Sequence, residues 1–281
     1  MRFTKMHGCG NDYIYVNGME ERIEPDKKPE IVRRMSDRHF GIGGDGVIFI
    51  NPSDAADFEM EMWNADGTRG EMCGNGIRCV AKYVYDKGLT DQTKISIVSG
   101  GQIKYLELEA EGGRMLTARV NMGNPVLTPA EIPVVMPENA ENAIDVEIEV
   151  DGKTYNMTCV SMGNPHAVIF VEDVSGLDLE RTGPLFENHE RFPRRVNTEF
   201  VKVLDRNHVE MRVWERGSGE TLACGTGSCA TAVACVLNGL TDNRVTVKLL
   251  GGELLIEWDR EANVIYMTGP ASTVFEGEYE I

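Results

Sequence analysis

The chain has little positive charge. Its 28 lysines and arginines stand against 45 aspartates and glutamates, a formal net charge of −17, so polyanions such as nucleic acid are poor partners. No basic cluster with interleaved aromatics reverses that. A long apolar run is also missing. The most apolar stretch, Cys229 to Leu237, is far too short to span a bilayer, so no membrane partner is expected. The first sixteen residues carry Asp12 and no hydrophobic segment, so no secretory signal is expected either. The two-residue cysteine gaps of common zinc sites are absent between Cys73 and Cys79 and between Cys224 and Cys229, which argues against a bound metal. Seven cysteines is an odd number. Without a secretion signal they read as reduced thiols of a cytoplasmic protein.

What is present suits a globular protein with real cores, since 42% of residues are hydrophobic and 26% charged. A length of 281 residues allows one large or two medium domains, and an internal repeat decides for two. Cys73-Gly74-Asn75-Gly76 returns 151 positions later as Cys224-Gly225-Thr226-Gly227. At the same offset Glu59 falls on Glu210, Met60 on Met211 and Trp63 on Trp214. A shared offset over such a window argues for one unit used twice. Gly10-Asn11 and Gly163-Asn164, each preceding an apolar strand, keep the same order at an offset of 153.

Each cysteine loop runs into a helical pattern. After Cys73, Ile77, Val80, Ala81, Val84 and Tyr85 recur at helical spacing and Gly88 stops the helix. Ser228 to Leu237 is small or apolar on nearly every face, which predicts a helix buried all round. A period of two predicts strands at Phe58–Met62 and Ile144–Val150, and further strands are expected at Ile103–Glu109, Leu116–Asn121, Tyr155–Val160, Glu199–Leu204, Val209–Trp214 and Val245–Leu250. Pro129, Pro133 and Pro137 mark the link between halves. The expected domains are 1–124 with 270–281, carrying Cys73, and 125–269, carrying Cys224.

A helix start presents unpaired N–H groups and a partial positive charge. A cysteine there is expected to have its thiolate stabilised, and the flanking glycines let the backbone approach an anionic group such as a carboxylate. Two such starts facing one another could hold one carboxylate and set a thiol on each face of the neighbouring carbon. That suits removal of an α-proton by one thiolate and its return by the opposite thiol, with inversion at the carbon.

Taken together, the motifs Lys5-Met6-His7-Gly8-Cys9-Gly10-Asn11-Asp12, Asn64-Ala65-Asp66-Gly67, Cys73 to Cys79, Gly163-Asn164-Pro165-His166, Val196-Asn197-Thr198, Glu215-Arg216-Gly217 and Ala223 to Gly227 resemble the diaminopimelate epimerase family over essentially the whole chain. The resemblance implies an α/β (α+β) fold of two pseudo-symmetric domains, each a curled, mostly antiparallel sheet around a central helix. It implies interconversion of LL- and meso-diaminopimelate, in lysine and peptidoglycan precursor synthesis, without pyridoxal phosphate or any other cofactor. It also implies a homodimer. Cys73 and Cys224 take the place of the catalytic thiols, tuned by His166 and Glu215. Backbone groups of Gly74, Asn75, Gly225 and Thr226 would hold the reacting carboxylate. Asn11, Asn64, Asn164, Asn197, Glu215 and Arg216 would hold the rest of the substrate. Some members carry a substrate-contacting glutamine where this chain has Gly46.

The remaining cysteines have plainer readings. Cys79, Cys229 and Cys235 fall in helices and Cys159 in a strand, as small core residues, while Cys9 reads as a structural turn residue. Three rivals to the epimerase reading stand. A proline or hydroxyproline racemase shares the thiol chemistry, but Asn64, Asn197 and Arg216 then have no distal group to grip. A redox pair is disfavoured by the long separation of Cys73 and Cys224. An anion-binding module leaves unexplained why both helices open with cysteine.

Overall fold

The computed structural model describes residues 1–70 and 72–281. The chain divides into two compact units, Met1–Asn121 with Thr268–Ile281, and Met122–Met267.

The first unit opens with a hairpin of β1 (Arg2–Gly8) and β2 (Asn11–Asn17). Its turn residues Cys9 and Gly10 have φ of 52° and 86°, the left-handed backbone that a two-residue hairpin turn requires. Next come α1 (Lys28–Ser36), with Pro29 in its first turn, β3 (Gly46–Asn51) and β4 (Phe58–Asn64). Then follow α2 (Gly74–Asp86), β5 (Lys94–Ser99), β6 (Gln102–Glu111) and β7 (Arg114–Gly123). Strand alternation divides the side chains. Ile14, Val16, Val47, Phe49 and Trp63 pack with Ile31, Val32 and Met35 of α1, while Ile48 points the other way, onto the start of α2. Burying Ile77, Val80 and Val84 of α2 contributes roughly 1.5–3 kcal/mol each.

The second unit is built from β8 (Val146–Val150), β9 (Lys153–Ser161), β10 (Pro165–Phe170), α3 (Leu179–Glu187), β11 (Asn197–Val203) and β12 (His208–Glu215). It continues with β13 (Gly219–Thr221), α4 (Gly225–Leu237), β14 (Arg244–Leu249), β15 (Gly252–Asp259) and β16 (Val264–Pro270). Ser228 to Cys235 of α4 are buried without a break, as its small and apolar sequence predicts. The helix packs on β9, β10, β11, β14 and β15. On the opposite face of the strands, Ala167, Ile169, Phe200 and Trp214 form a core with Leu179 and Phe186 of α3.

Pairing order shows that the repeat is structural. In unit 1, β1–β2 is antiparallel, β2–β3 parallel, β3–β4 antiparallel, β4–β5 parallel and β5–β6 antiparallel. In unit 2 the same alternation runs through β9–β10, β10–β11, β11–β12, β12–β14 and β14–β15. Each unit therefore lays one long helix against a sheet of matched topology. The last strand, β17 (Ser272–Glu278), belongs to unit 1 and pairs antiparallel with β1.

Helix α3 and strand β5 are among the elements that the sequence expectation did not include. Helix α3 carries Gly183 and Pro184 in its interior, residues that argue against a helix, yet it forms because Trp214 lies over Gly183, where a Cβ would sit 2.2 Å from the ring. Strand β5 is short and has polar residues on its outward face, so its period of two spans too few residues to register.

Candidate active site

Cys73 occupies the N-cap of α2, and its Sγ accepts a hydrogen bond from Gly76 N at 3.2 Å. Cys224 occupies the N-cap of α4, and its Sγ accepts from Gly227 N at 3.4 Å. Thiols thus stand where Ser, Thr, Asp or Asn normally cap a helix. The cysteines have nearly identical extended backbones, φ −129° and −122° with ψ 113° in both.

Around Cys73, the thiol donates to Asn11 Oδ1 at 3.1 Å. Asn11 Nδ2 in turn donates to Asp45 Oδ2 at 2.7 Å. Arg38 spans Asp12 and Asp45, with contacts of 2.8 and 2.9 Å from Nη2. Burial pushes the Asp12 carboxyl up, but hydrogen bonds and charge from Arg38 and Lys5 outweigh it and hold the group below its usual range. Asn75 is buried, and its Oδ1 accepts from the fully buried Arg78 at 3.0 Å. Arg78 also donates to Gly74 O at 2.9 Å, bracing the first turn of α2. Asn64 is half-buried and donates from Nδ2 to Thr68 Oγ1 at 3.0 Å. Gly46 has no room for a side chain, since a Cβ there would lie 2.0 Å from the Trp63 carbonyl oxygen.

Around Cys224, strand register assembles the site. His166 on β10 lies opposite Asn197 on β11, and Glu199 opposite Val213 on β12. With a side-chain period of two, His166, Asn197, Glu199 and Glu215 share the face that α4 covers. His166 Nδ1 lies 2.7 Å from Glu199 Oε1, and Nε2 lies 3.0 Å from Asn164 Oδ1. Glu215 accepts from Thr221 Oγ1 at 2.5 Å. Burial raises the Glu215 carboxyl, opposed by Thr221, His166 and Cys224. Asn197 spends its amide on the scaffold: Nδ2 donates to Pro165 O at 2.9 Å, and Oδ1 accepts from Arg216 N at 2.8 Å. It thereby fixes the backbone that carries Arg216, whose Nη1 donates to Arg194 O at 3.0 Å. Gly225 is buried and Thr226 half-buried, with its Oγ1 3.5 Å from Cys224 Sγ.

The structure corrects one expectation. A helix start alone predicts a lowered thiol, yet Cys224 is pushed well above the ordinary value. Burial is the largest cause, then the Glu215 and Glu199 carboxylates, and the Thr226 and Gly227 hydrogen bonds only partly offset them. Cys224 therefore rests as a thiol. Sequence reasoning also missed Asp45, Arg78, Glu187 and Glu199. Glu187 accepts from Gly217 N at 2.9 Å and from Trp214 Nε1 at 2.7 Å, supporting the Glu215-Arg216-Gly217 loop. Glu199 lies in a strand where Asn197 through Val201 are all buried, but the mixed polar and apolar sequence Asn-Thr-Glu-Phe-Val-Lys-Val gives no local sign of that burial. Among the described residues, no cluster of three or more His, Cys, Asp or Glu could hold a metal ion, and no helix is long and apolar enough to cross a membrane.

The fold and its duplicated helix starts define a class. A phenazine biosynthesis protein of the PhzF family from Bacillus anthracis superposes with a TM-score of 0.71 at 17% identity, covering 100% of this chain and 99% of that one. A hydroxyproline epimerase from Agrobacterium vitis gives 0.69 at 13%, covering 99% and 90%. At such identities the likeness is one of fold. Within that class the sequence is more specific. The Diaminopimelate epimerase family model matches residues 3–128 and 158–274. The chain is 58% identical to the Diaminopimelate epimerase of Agathobacter rectalis over 286 residues, with 100% of both chains covered. It is 56% identical to that of Methanococcus maripaludis strain S2 over 281 residues, again with 100% of both covered. The chain belongs to the diaminopimelate epimerase family.

Proposed function

We propose that Cys73 and Cys224 are the acid and base of this enzyme. The chain is an isomerase that interconverts LL- and meso-2,6-diaminopimelate, the step that links lysine and peptidoglycan precursor synthesis. The observation that carries the two-thiol reading is the duplicated cap: each cysteine opens a long helix and accepts a hydrogen bond from the glycine three residues on.

In the LL-to-meso direction Cys224, as thiolate, takes the α-proton, and Cys73 returns one to the opposite face. In reverse the roles exchange. Backbone N–H groups of Gly74, Asn75, Gly225 and Thr226 take the α-carboxylate and stabilise the charge that develops on it as the α-proton leaves, where preorganised donors act most strongly. Asn11, beside the Cys73 thiol, keeps that proton oriented. Asn64, Asn164 and Arg216 grip the distal amino acid end, the guanidinium matching a carboxylate, and Asn197 positions Arg216. Glu215 and His166 tune Cys224. Because Cys224 rests protonated, substrate binding must accompany thiolate formation. Two thiols and a carboxylate cradle complete an acid–base reaction, so no cofactor is required. The enzyme acts in the cytoplasm as a homodimer, a state that sedimentation would check.

Proline racemase chemistry is the second reading, favoured only by shared fold. Arg216 and Asn64 supply a distal grip that a small cyclic substrate does not use. Turnover in deuterated water tests the main reading. The newly formed isomer should carry solvent deuterium while residual substrate stays protonated, and product retaining the original proton would exclude two thiols acting in turn.

A further inference from the structure

The two helix starts are braced by different residues. In α4 the brace is a hydroxyl: Ser228 Oγ donates to Cys224 O at 2.8 Å. At the repeat's offset of 151 the residue in α2 is Ile77, whose side chain has no donor. Its neighbour Arg78, which falls on Cys229 at that offset, does the bracing instead. Side chains on a helix lean toward its N-terminus, and the Arg78 guanidinium reaches back to the first turn of α2. There it donates from Nη1 to Gly74 O at 2.9 Å and from Nη2 to Asn75 Oδ1 at 3.0 Å.

The same guanidinium reaches two other segments. Nη2 also donates to Cys9 Sγ at 3.8 Å, in the turn of the β1–β2 hairpin, and Nε donates to Pro270 O at 3.2 Å, just ahead of β17. The hairpin backbone is pressed onto the helix start: a Cβ on Gly8 would lie 2.9 Å from Asn75 O and 3.1 Å from both Asn75 Cβ and Arg78 Nη2. Gly8 pairs with Asn11 across the turn, so the turn sets where Asn11 Oδ1 meets the Cys73 thiol at 3.1 Å. In unit 2 Asn164, the copy of Asn11 at an offset of 153, has a different neighbour, His166, whose Nε2 lies 3.0 Å from its Oδ1.

Helix stability alone does not account for Arg78. The side chain is fully buried, and a cation over a first turn opposes the helix dipole, which favours cations at the other end. Resting on the two-thiol reading, we propose that Arg78 is a positioning residue for the reaction. It fastens the hairpin turn that leads into Asn11 to the helix start that carries Cys73, Gly74 and Asn75. The partner of the thiol and the N–H donors for the α-carboxylate are thereby held in one arrangement before substrate arrives. Donors set in advance act most on the charge that develops as the α-proton leaves, so Arg78 works through kcat more than through substrate affinity.

Arg78→Lys tests this. The ammonium is a point charge without the planar fork of a guanidinium, so it cannot serve Gly74 O, Asn75 Oδ1, Cys9 Sγ and Pro270 O together. Without substrate, amide hydrogen exchange at Gly76 and Ile77 should quicken by about tenfold or more, with Val80 and Val84 later in α2, and Gly227 and Ser228 in α4, within about threefold of wild type. With substrate, kcat per folded enzyme should fall about 10–100-fold, the scale of a misplacement of about an ångström, with KM within about threefold. Where Arg78→Lys does not fold, Gly8→Ala carries the same two readouts, because it pushes the hairpin off the helix start and leaves Arg78 in place. Exchange quickened equally along the whole of α2 makes Arg78 a structural residue only and overturns the proposal. Wild-type exchange at Gly76 overturns it too, and so does a wild-type kcat in a variant whose Gly76 exchanges faster. Local loosening with a lowered kcat, in an enzyme whose product retains the substrate's original proton, supports the fastening role and instead faults the two-thiol reading.

Discussion

The backbone N–H of Gly76 points at the sulfur of Cys73 from 3.2 Å, so the atom proposed to offer a proton also caps a helix. These roles separate on substitution. Serine is a good cap, so Cys73→Ser and Cys224→Ser should unfold in urea within about 1 kcal/mol of wild type. Their turnover of LL-diaminopimelate should drop by roughly 10²–10⁴, the usual contribution of a positioned acid or base. Alanine in either place should lose the cap as well, about 1 kcal/mol. A Cys73→Ser enzyme turning over at the wild-type rate would remove the thiol from the mechanism.

Gly227 leaves no room for a methyl group. Its Cβ would meet Glu199 Oε1 at 2.6 Å and Cys224 Sγ at 3.2 Å. Gly227→Ala should cost about 1–3 kcal/mol, the range for overpacking a core, and should disturb the thiol directly. Gly176→Ala, with nothing within 4 Å, serves as the control and should leave melting temperature and rate unchanged. Equal melting temperatures for the two variants would show that the carboxylate yields at no cost.

Alkaline pH should unfold the protein through its core thiols. Burial is the leading cause that holds Cys79, Cys159 and Cys235 at about 12, above the ordinary thiol value of 9.0. Between those limits the native chain keeps protons that the unfolded chain releases, so stability is full below pH 9 and falls as pH rises. The slope is roughly 1.4 kcal/mol per thiol per pH unit. Urea titrations at pH 8 and pH 10 should show the loss, and Cys235→Ala should make it shallower. A pH-independent midpoint would mean that these sulfurs are hydrated.

Acid should weaken the first unit at Glu61. Burial pushes this carboxyl up, but Lys28, Trp63 Nε1 and Asn51 outweigh it and hold the group below its usual range, with Arg69 adding a contact at 2.8 Å. A depressed carboxyl lends stability above its unfolded pKa and loses it as pH falls through the folded one. Glu61→Gln should cost about 1–3 kcal/mol near neutrality, as expected for a hydrogen bond to a charged group. It should also flatten the acid limb of the stability curve; an unaltered limb would assign that limb to other carboxylates.

Much of this was legible because the repeat is written in scarce residues. Trp63, Trp214, Cys73 and Cys224 keep one spacing, and the pairing order of the two sheets follows it. Helix α4 was legible from an unbroken run of small side chains. Helix α3 was not, because its tolerance of Gly183 depends on Trp214 arriving from a distant strand. In the candidate site, Asn11 beside Cys73 and Glu215 beside Cys224 follow the motifs. Glu199 and Asp45 escaped because a carboxylate within a strand of mixed polar and apolar residues, or in a glycine-rich turn, has no local signature. Both are defined by partners far off in sequence, His166 and Asn11. The raised Cys224 thiol escaped for a related reason: sequence reveals the helix start but not the depth at which it is buried.

The pairing of β17 with β1 bears on how each half is assembled. Unit 2 is one continuous stretch, Met122–Met267, whereas unit 1 draws on two separated ones. In unit 1, Ser272–Glu278 gives β1 its outer neighbour. The half that holds Cys73 is thus joined from two separated segments of chain, and without Ser272–Glu278 it would expose an unzipped sheet edge at β1, while the half that holds Cys224 would keep its own strands.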